Sequence, residues 1–176
     1  MDLEKLKKRI RNVPDFPKKG IVFRDITTLI KDGESLKHIV SIMKEKCEEK
    51  HADVIVGIES RGFILGSIVA HELGIGFVPI RKKGKLPAEV VTAGYEKEYG
   101  KDYIEVHKDG IMKDQNVMIV DDLLATGGTA EAAARLVEMT GGKVAGFVFL
   151  IELSFLKGRD KIKNYDIFSL IQYDSE

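Results

Sequence analysis

Apolar residues recur in two rhythms along the chain, and the change from one to the other comes near residue 54. Before it, Leu3, Leu6 and Ile10 share one helical face behind Asp2, a residue suited to capping the first turn. Pro14 and Pro17 end that helix, and Asn12 to Gly20 reads as a loop. A second helix is predicted from about Ser35 to Cys47, burying Leu36, Ile39, Val40 and Met43. From Val54 onward short continuous apolar runs alternate with helical stripes. Val54 to Ile58 is unbroken, as in a parallel strand covered on both faces. A helix from about Gly62 to Leu73 follows, then a strand at Phe77 to Ile80, in which Pro79 must sit where no ladder bond is needed. Arg81 to Gly100 is rich in charge and glycine and reads as a long solvated excursion with room for one hairpin. The strand Val117 to Val120 leads through Asp121, Asp122 and a glycine turn into a helix from about Thr129 to Met139. Val144 to Leu153 and Ile167 to Tyr173 supply two more strands. This alternation predicts an α/β fold with a mostly parallel central sheet flanked by helices.

Composition narrows the class. The 176 residues fit one domain, and 44% hydrophobic content is enough for a core without metal or disulfide staples. The single cysteine, Cys47, can form neither an internal disulfide nor a cysteine zinc cluster, which fits a reducing compartment. The start, MDLEKLKKRI, lacks the apolar stretch of a secretory signal, and no apolar run approaches the roughly 18 residues of a membrane span. Basic and acidic residues balance at 28 each, so the basic excess of a nucleic-acid binder is absent. A cytoplasmic protein with no nucleic-acid or membrane partner is expected. His38, His51, His71 and His107 show no metal-ligand spacing.

The most informative stretch is Val117 to Thr129, VMIVDDLLATGGT. In an open α/β sheet, ligands bind beyond the carboxyl ends of the strands, which puts both aspartates at a site rim. Ala125, Thr126, Gly127, Gly128 and Thr129 then lead into a helix. Adjacent glycines let backbone N–H groups approach a phosphate, and the helix amino end adds unpaired donors and partial positive charge. Two carboxylates repel that phosphate but suit hydroxyls or a metal on the same ligand. A phosphorylated ribose satisfies both halves. The Gly-Lys-Ser/Thr of a Walker A loop is missing, and so is a dinucleotide Gly-x-Gly-x-x-Gly at this turn.

This segment resembles the phosphoribosyl pyrophosphate (PRPP) motif of the type I phosphoribosyltransferases. Four more stretches resemble the adenine-specific branch of that family. Asp15-Phe16-Pro17 through Gly20 to Ile26 is similar to its amino-terminal purine-binding segment, and Gly57-Ile58-Glu59-Ser60-Arg61-Gly62-Phe63 to its pyrophosphate loop. Arg81 to Pro87 resembles its mobile basic loop, and Glu98-Tyr99-Gly100 the tip of the same excursion. The likeness continues through Glu152-Leu153 and Leu156-Lys157-Gly158-Arg159, covering nearly the whole chain in order.

The resemblance implies a type I phosphoribosyltransferase fold in one domain over residues 1–176, with a small hood formed largely by residues 1–30 and a flexible loop. It implies transfer of the 5-phosphoribosyl group from PRPP to adenine. Asp121 and Asp122 would bind the ribose hydroxyls, and Ala125 to Thr129 the 5′-phosphate. Arg61, Arg81, Lys82 and Lys85 would hold pyrophosphate. Val22, Phe23, Arg24 and Leu153 would contact adenine, with Phe23 stacking on the base and backbone groups at Val22 and Arg24 reading its edge. Glu98 would be the general acid/base, beside Tyr99 in the loop. Mg²⁺ would be held mainly by substrate oxygens and water rather than by direct protein ligands. A homodimer is implied, and in the family the peptide before the residue matching Arg61 can be non-proline cis. Two alternatives stay open at this point: transfer to another purine base, and a non-catalytic regulator that binds PRPP. The balanced charge and the roughly fifty residues before the first sheet strand offer the regulator no DNA-binding module.

Overall fold

The computed structural model describes residues 2–97 and 100–176. Its centre is a seven-stranded sheet in the order β5-β6-β4-β3-β7-β8-β9. The strands are β3 (Val54–Ile58), β4 (Gly76–Lys82), β5 (Val90–Lys97), β6 (Gly100–His107), β7 (Asn116–Leu124), β8 (Lys143–Leu153) and β9 (Ile167–Tyr173). The five from β4 to β9 run parallel, while β6 joins β4 antiparallel and forms a hairpin with β5. All five residues of β3 are buried, as an unbroken apolar run in a sheet covered on both faces requires.

Each face has its own core. Helix α5 (Gly128–Met139) lays Ala130, Ala133, Leu136 and Val137 against Val56, Ile119, Phe147 and Phe149. On the opposite face α3 (Gly33–Glu49) and α4 (Arg61–Leu73) bury Ile39, Met43, Cys47, Leu65 and Val69 against Ile55, Met118, Val120 and Val148. Helix α1 (Leu3–Arg9) joins that second core through Leu6 and is capped by Asp2, which accepts the Lys5 N–H at 2.8 Å. Burial pushes the Cys47 thiol up to about 12.

Pro79 is tolerated because its neighbour points the other way. Ile80 C=O accepts from Glu59 N–H on the β3 side, so Pro79 turns towards β6, whose pairing with β4 begins only at Arg81. The structure departs from the sequence expectations in three places. Residues Arg11–Val13, inside and beside the expected loop, form β1, which pairs antiparallel with β2 (Phe23–Asp25). A short α2 (Thr27–Ile30) follows. The one hairpin allowed for in the solvated excursion is present as β5–β6, but it runs past Gly100 to His107, joins the sheet through β4 and buries Ile104, Glu105 and Val106. Among the described residues no helix is long and apolar enough to cross a membrane.

Candidate active site

The carboxyl ends of β3 and β7 border a cavity of about 460 Å³. Glu59, Ser60 and Arg61, which follow β3, line one side, and residues 121–130 line the other. Lys82 from β4, with Tyr95 and Ile104 from the hairpin, closes it on the sheet-edge side.

Close backbone approach shapes the first wall. Gly62, in the first turn of α4, lies so near β7 that a Cβ there would fall 2.7 Å from Asp121 Oδ1 and 2.9 Å from the Val120 carbonyl. The cis peptide joins Glu59 to Ser60, one bond earlier than the bond entering Arg61. Arg61 Nε donates to Asp122 Oδ2 at 2.5 Å, and its guanidinium stands 5.1 Å from the centre of the Phe23 ring. Asp121 Oδ1 accepts the Asp122 N–H at 2.9 Å. Burial first, and then the Asp122 charge, raises the Asp121 carboxyl well above its ordinary value. The two acids are thus distinct: Asp122 carries a cationic partner, and Asp121 holds a proton more tightly than an ordinary aspartate does.

The second wall is the turn into α5. Gly127 takes the left-handed region at φ 77°, and no side chain caps the helix. The first N–H groups of α5 therefore lack intrahelical partners and are available to an anion at the cavity. Gly127 and Gly128 are buried, Thr129 is half-buried and Thr126 is exposed.

Nine of the expected site residues meet here: Arg61, Lys82, Asp121, Asp122 and the whole run from Ala125 to Thr129. Others stand apart from the lining. Arg81 donates to Glu59 Oε1 at 3.2 Å and to the Lys85 carbonyl at 3.1 Å, so its guanidinium is tied at the loop base. The Arg24 side chain turns onto the Tyr173 ring at 4.2 Å and donates to Asn12 Oδ1 at 2.7 Å. Phe23 meets the site through Arg61 and packs edge-on against Phe16 at 5.3 Å. Val22 is half-buried, and Leu153 packs against the second core. Glu98 and Tyr99 lie outside the described residues.

Two carboxylates that sequence reasoning missed hold the basic loop. Glu59 Oε2 accepts the Lys82 N–H at 3.1 Å, and the hydrogen bond from Arg81 is the largest influence keeping Glu59 below its usual range. Glu105, only 4% exposed, accepts from Gly84 N–H at 2.9 Å and from the Thr92 hydroxyl at 3.2 Å. Glu59 does carry a local signal, an acid directly before Ser60-Arg61 in the Gly57 to Phe63 segment. Glu105 carries no local signal, since its partners come from other segments.

The family model of the phosphoribosyl transferase domain matches residues 26–175. The chain belongs to the phosphoribosyltransferase family. It is 59% identical over 169 residues to an adenine phosphoribosyltransferase of Clostridium perfringens, covering 96% of this chain and 98% of that one. The solved structure of the adenine phosphoribosyltransferase from Thermoanaerobacter pseudethanolicus superposes with a TM-score of 0.95 at 51% identity, covering 98% and 100% of the two chains. The Saccharomyces cerevisiae adenine phosphoribosyltransferase, solved with an imino-altritol bisphosphate and adenine, gives 0.91 at 44% identity over 96% and 97%. In this phosphoribosyltransferase the matched span contains every residue lining the cavity, whereas α1, β1 and β2 precede it.

Proposed function

We propose that the chain transfers the 5-phosphoribosyl group of PRPP to adenine, giving AMP and pyrophosphate. One observation carries this reading. A left-handed glycine turn at a helix amino end shares its cavity with an Asp–Asp pair, and that juxtaposition suits a sugar that is phosphate at one end and diol at the other. The adenine preference rests on the relatives' substrate and on the Phe16 to Ile26 segment.

In the proposed reaction, adenine N9 forms the bond to the anomeric carbon as the bond to pyrophosphate breaks, and positive charge builds on the sugar. Ala125 to Thr129 clamp the 5′-phosphate, and Asp121 and Asp122 hold the ribose hydroxyls and favour the developing cation. Arg61 and Lys82, with Arg81 and Lys85 once the loop closes, steady the departing pyrophosphate. Val22, Phe23, Arg24 and Leu153 are assigned to the base. Glu98, neighboured by Tyr99, exchanges the proton that the purine gives up on bonding.

Among the described residues no cluster of three or more acids, histidines or cysteines forms a metal cage, and Asp121 and Asp122 are the aspartates at the cavity. Mg²⁺ would arrive on the substrate, held mainly by its oxygens and by water rather than by direct protein ligands. Bound to the pyrophosphate, Mg²⁺ supplies charge neutralisation of the leaving group. We assign the protein to the cytoplasm as a homodimer, in line with its family.

The test supplies adenine, PRPP and Mg²⁺ and follows AMP formation, with guanine, hypoxanthine and xanthine as competitors. AMP from adenine alone is expected; preferential use of another base reassigns the substrate. Glu98→Gln is expected to lower kcat about 100-fold while leaving the KM for PRPP within about threefold. Full turnover in that variant removes Glu98 from the reaction.

A further inference from the structure

The segment Leu156 to Arg159 lines no part of the cavity, yet it presses on the turn that does. A Cβ at Gly127 would lie 2.3 Å from the Gly158 carbonyl oxygen. Conversely, a Cβ at Gly158 would lie 2.2 Å from the Ala125 carbonyl oxygen and 3.0 Å from Gly127 N. The two backbones are in contact from both sides, with no room for a side chain on either.

What holds Gly158 there is an ion pair in the next strand. Arg159 grips Glu152 with two parallel bonds, Nε to Oε1 at 2.7 Å and Nη2 to Oε2 at 2.8 Å. Its remaining donors reach the Ile167 carbonyl at 3.2 Å and the Ser169 hydroxyl at 3.4 Å. Glu152 is 3% exposed and pairs in the ladder with Leu124, the residue just before the turn. Beyond Arg159, Ile162 is fully buried in the first core and pins the far end.

We infer that Gly158 and Arg159, anchored on Glu152, are positioning residues for the phosphate turn: they fix the backbone of Ala125 to Gly127 from behind and so set where its donors point. None of the three lines the cavity. They act through the turn, from outside the cavity lining. The inference rests on the turn being the 5′-phosphate seat, and the experiment separates the two claims.

Gly158 lies outside the left-handed region, so alanine there meets the Ala125 carbonyl without backbone strain. Gly158→Ala and Arg159→Lys are compared with the wild type by titration with ribose 5-phosphate, which carries the phosphate and diol but neither pyrophosphate nor base. Initial rates give KM for PRPP and for adenine, and circular dichroism verifies the fold. Gly158→Ala is expected to weaken ribose 5-phosphate binding and raise the PRPP KM, each about tenfold or more, with the adenine KM within about twofold. Arg159→Lys keeps the charge but loses the fork, and is expected to show the same selectivity at about three- to tenfold. If one variant does not fold, the other decides. Wild-type affinity for ribose 5-phosphate in the folded variants overturns the inference. So do equal rises in both KM values, and so does loss of fold in both variants, since a local brace leaves the two cores intact. Failure of the wild type itself to bind ribose 5-phosphate overturns the phosphate reading of the turn, and the brace with it.

Discussion

The turn at residues 125–129 and the loop from Arg81 to Pro87 both face the anionic ligand proposed here, and they are built in opposite ways. The turn offers backbone donors, is buried at its two glycines and is backed so closely by Gly158 that neither Gly127 nor Gly158 has room for a Cβ. The loop offers side-chain cations and is tethered by carboxylates: Arg81 to Glu59, and the Gly84 N–H to Glu105. A backbone seat cannot rearrange without moving the sheet around it. Ion pairs at a partly exposed loop can exchange one acceptor for another at small net cost, because such pairs contribute little on their own. The contrast suits the two ends of the proposed substrate: the 5′-phosphate stays put through the reaction, and the pyrophosphate must leave.

The most severe way to break that contrast is Gly127→Ala. It places a Cβ 2.3 Å from the Gly158 carbonyl at a left-handed φ, and is expected to cut kcat/KM for PRPP by roughly 100-fold or more. Initial-rate measurements at saturating adenine check it. Lys82→Ala removes a cation from the cavity wall without disturbing the turn. Pyrophosphate affinity, read from the reverse reaction, is expected to fall about tenfold, with ribose 5-phosphate binding unchanged. Equal losses for both ligands would erase the distinction between the two regions.

Ionic strength should sharpen it. Raising salt from about 0.05 to 0.5 M is expected to weaken pyrophosphate binding several-fold, because exposed cations are screened, and ribose 5-phosphate binding less than about twofold. The smallest effect concerns strand β2. The Thr27 N–H first, and then the Arg11 and Thr27 side chains, lowers Asp25 from 3.8 to about 2. Its folded-state value is depressed, so the stabilisation is fully present above 3.8 and is lost as pH falls through about 2. Asp25→Asn is expected to cost roughly 1–2 kcal/mol at neutral pH, with the gap to wild type closing between about pH 4 and pH 2. Thermal or urea unfolding across that range checks it, and kcat is expected to stay within about twofold.

Legibility in the sequence followed the same divide. The strands Val54–Ile58 and Ile167–Tyr173 were found at their predicted limits, and α4 and α5 begin one residue before theirs; Val54–Ile58 is an apolar run buried throughout, and the helices bury an apolar stripe. The turn was legible because its chemistry is contiguous from Asp121 to Thr129. Strand β1 was not. Arg11–Val13 is short and mostly polar, and only its pairing with Phe23–Asp25 makes it a strand. Strand β6 begins with Gly-Lys-Asp and hides its buried residues at 104–106. Glu105, Gly158 and the Arg159–Glu152 pair work through segments distant in sequence, and no local pattern announces them.

Cys47 gives the molecule a built-in reporter. The chain's one thiol sits on the buried face of α3, in the core that α3 and α4 form with the sheet, and is held in its unreactive protonated form, so an alkylating reagent can reach it only when that face of the sheet opens. The labelling rate then counts opening events directly, and any ligand that clamps the native state will slow it.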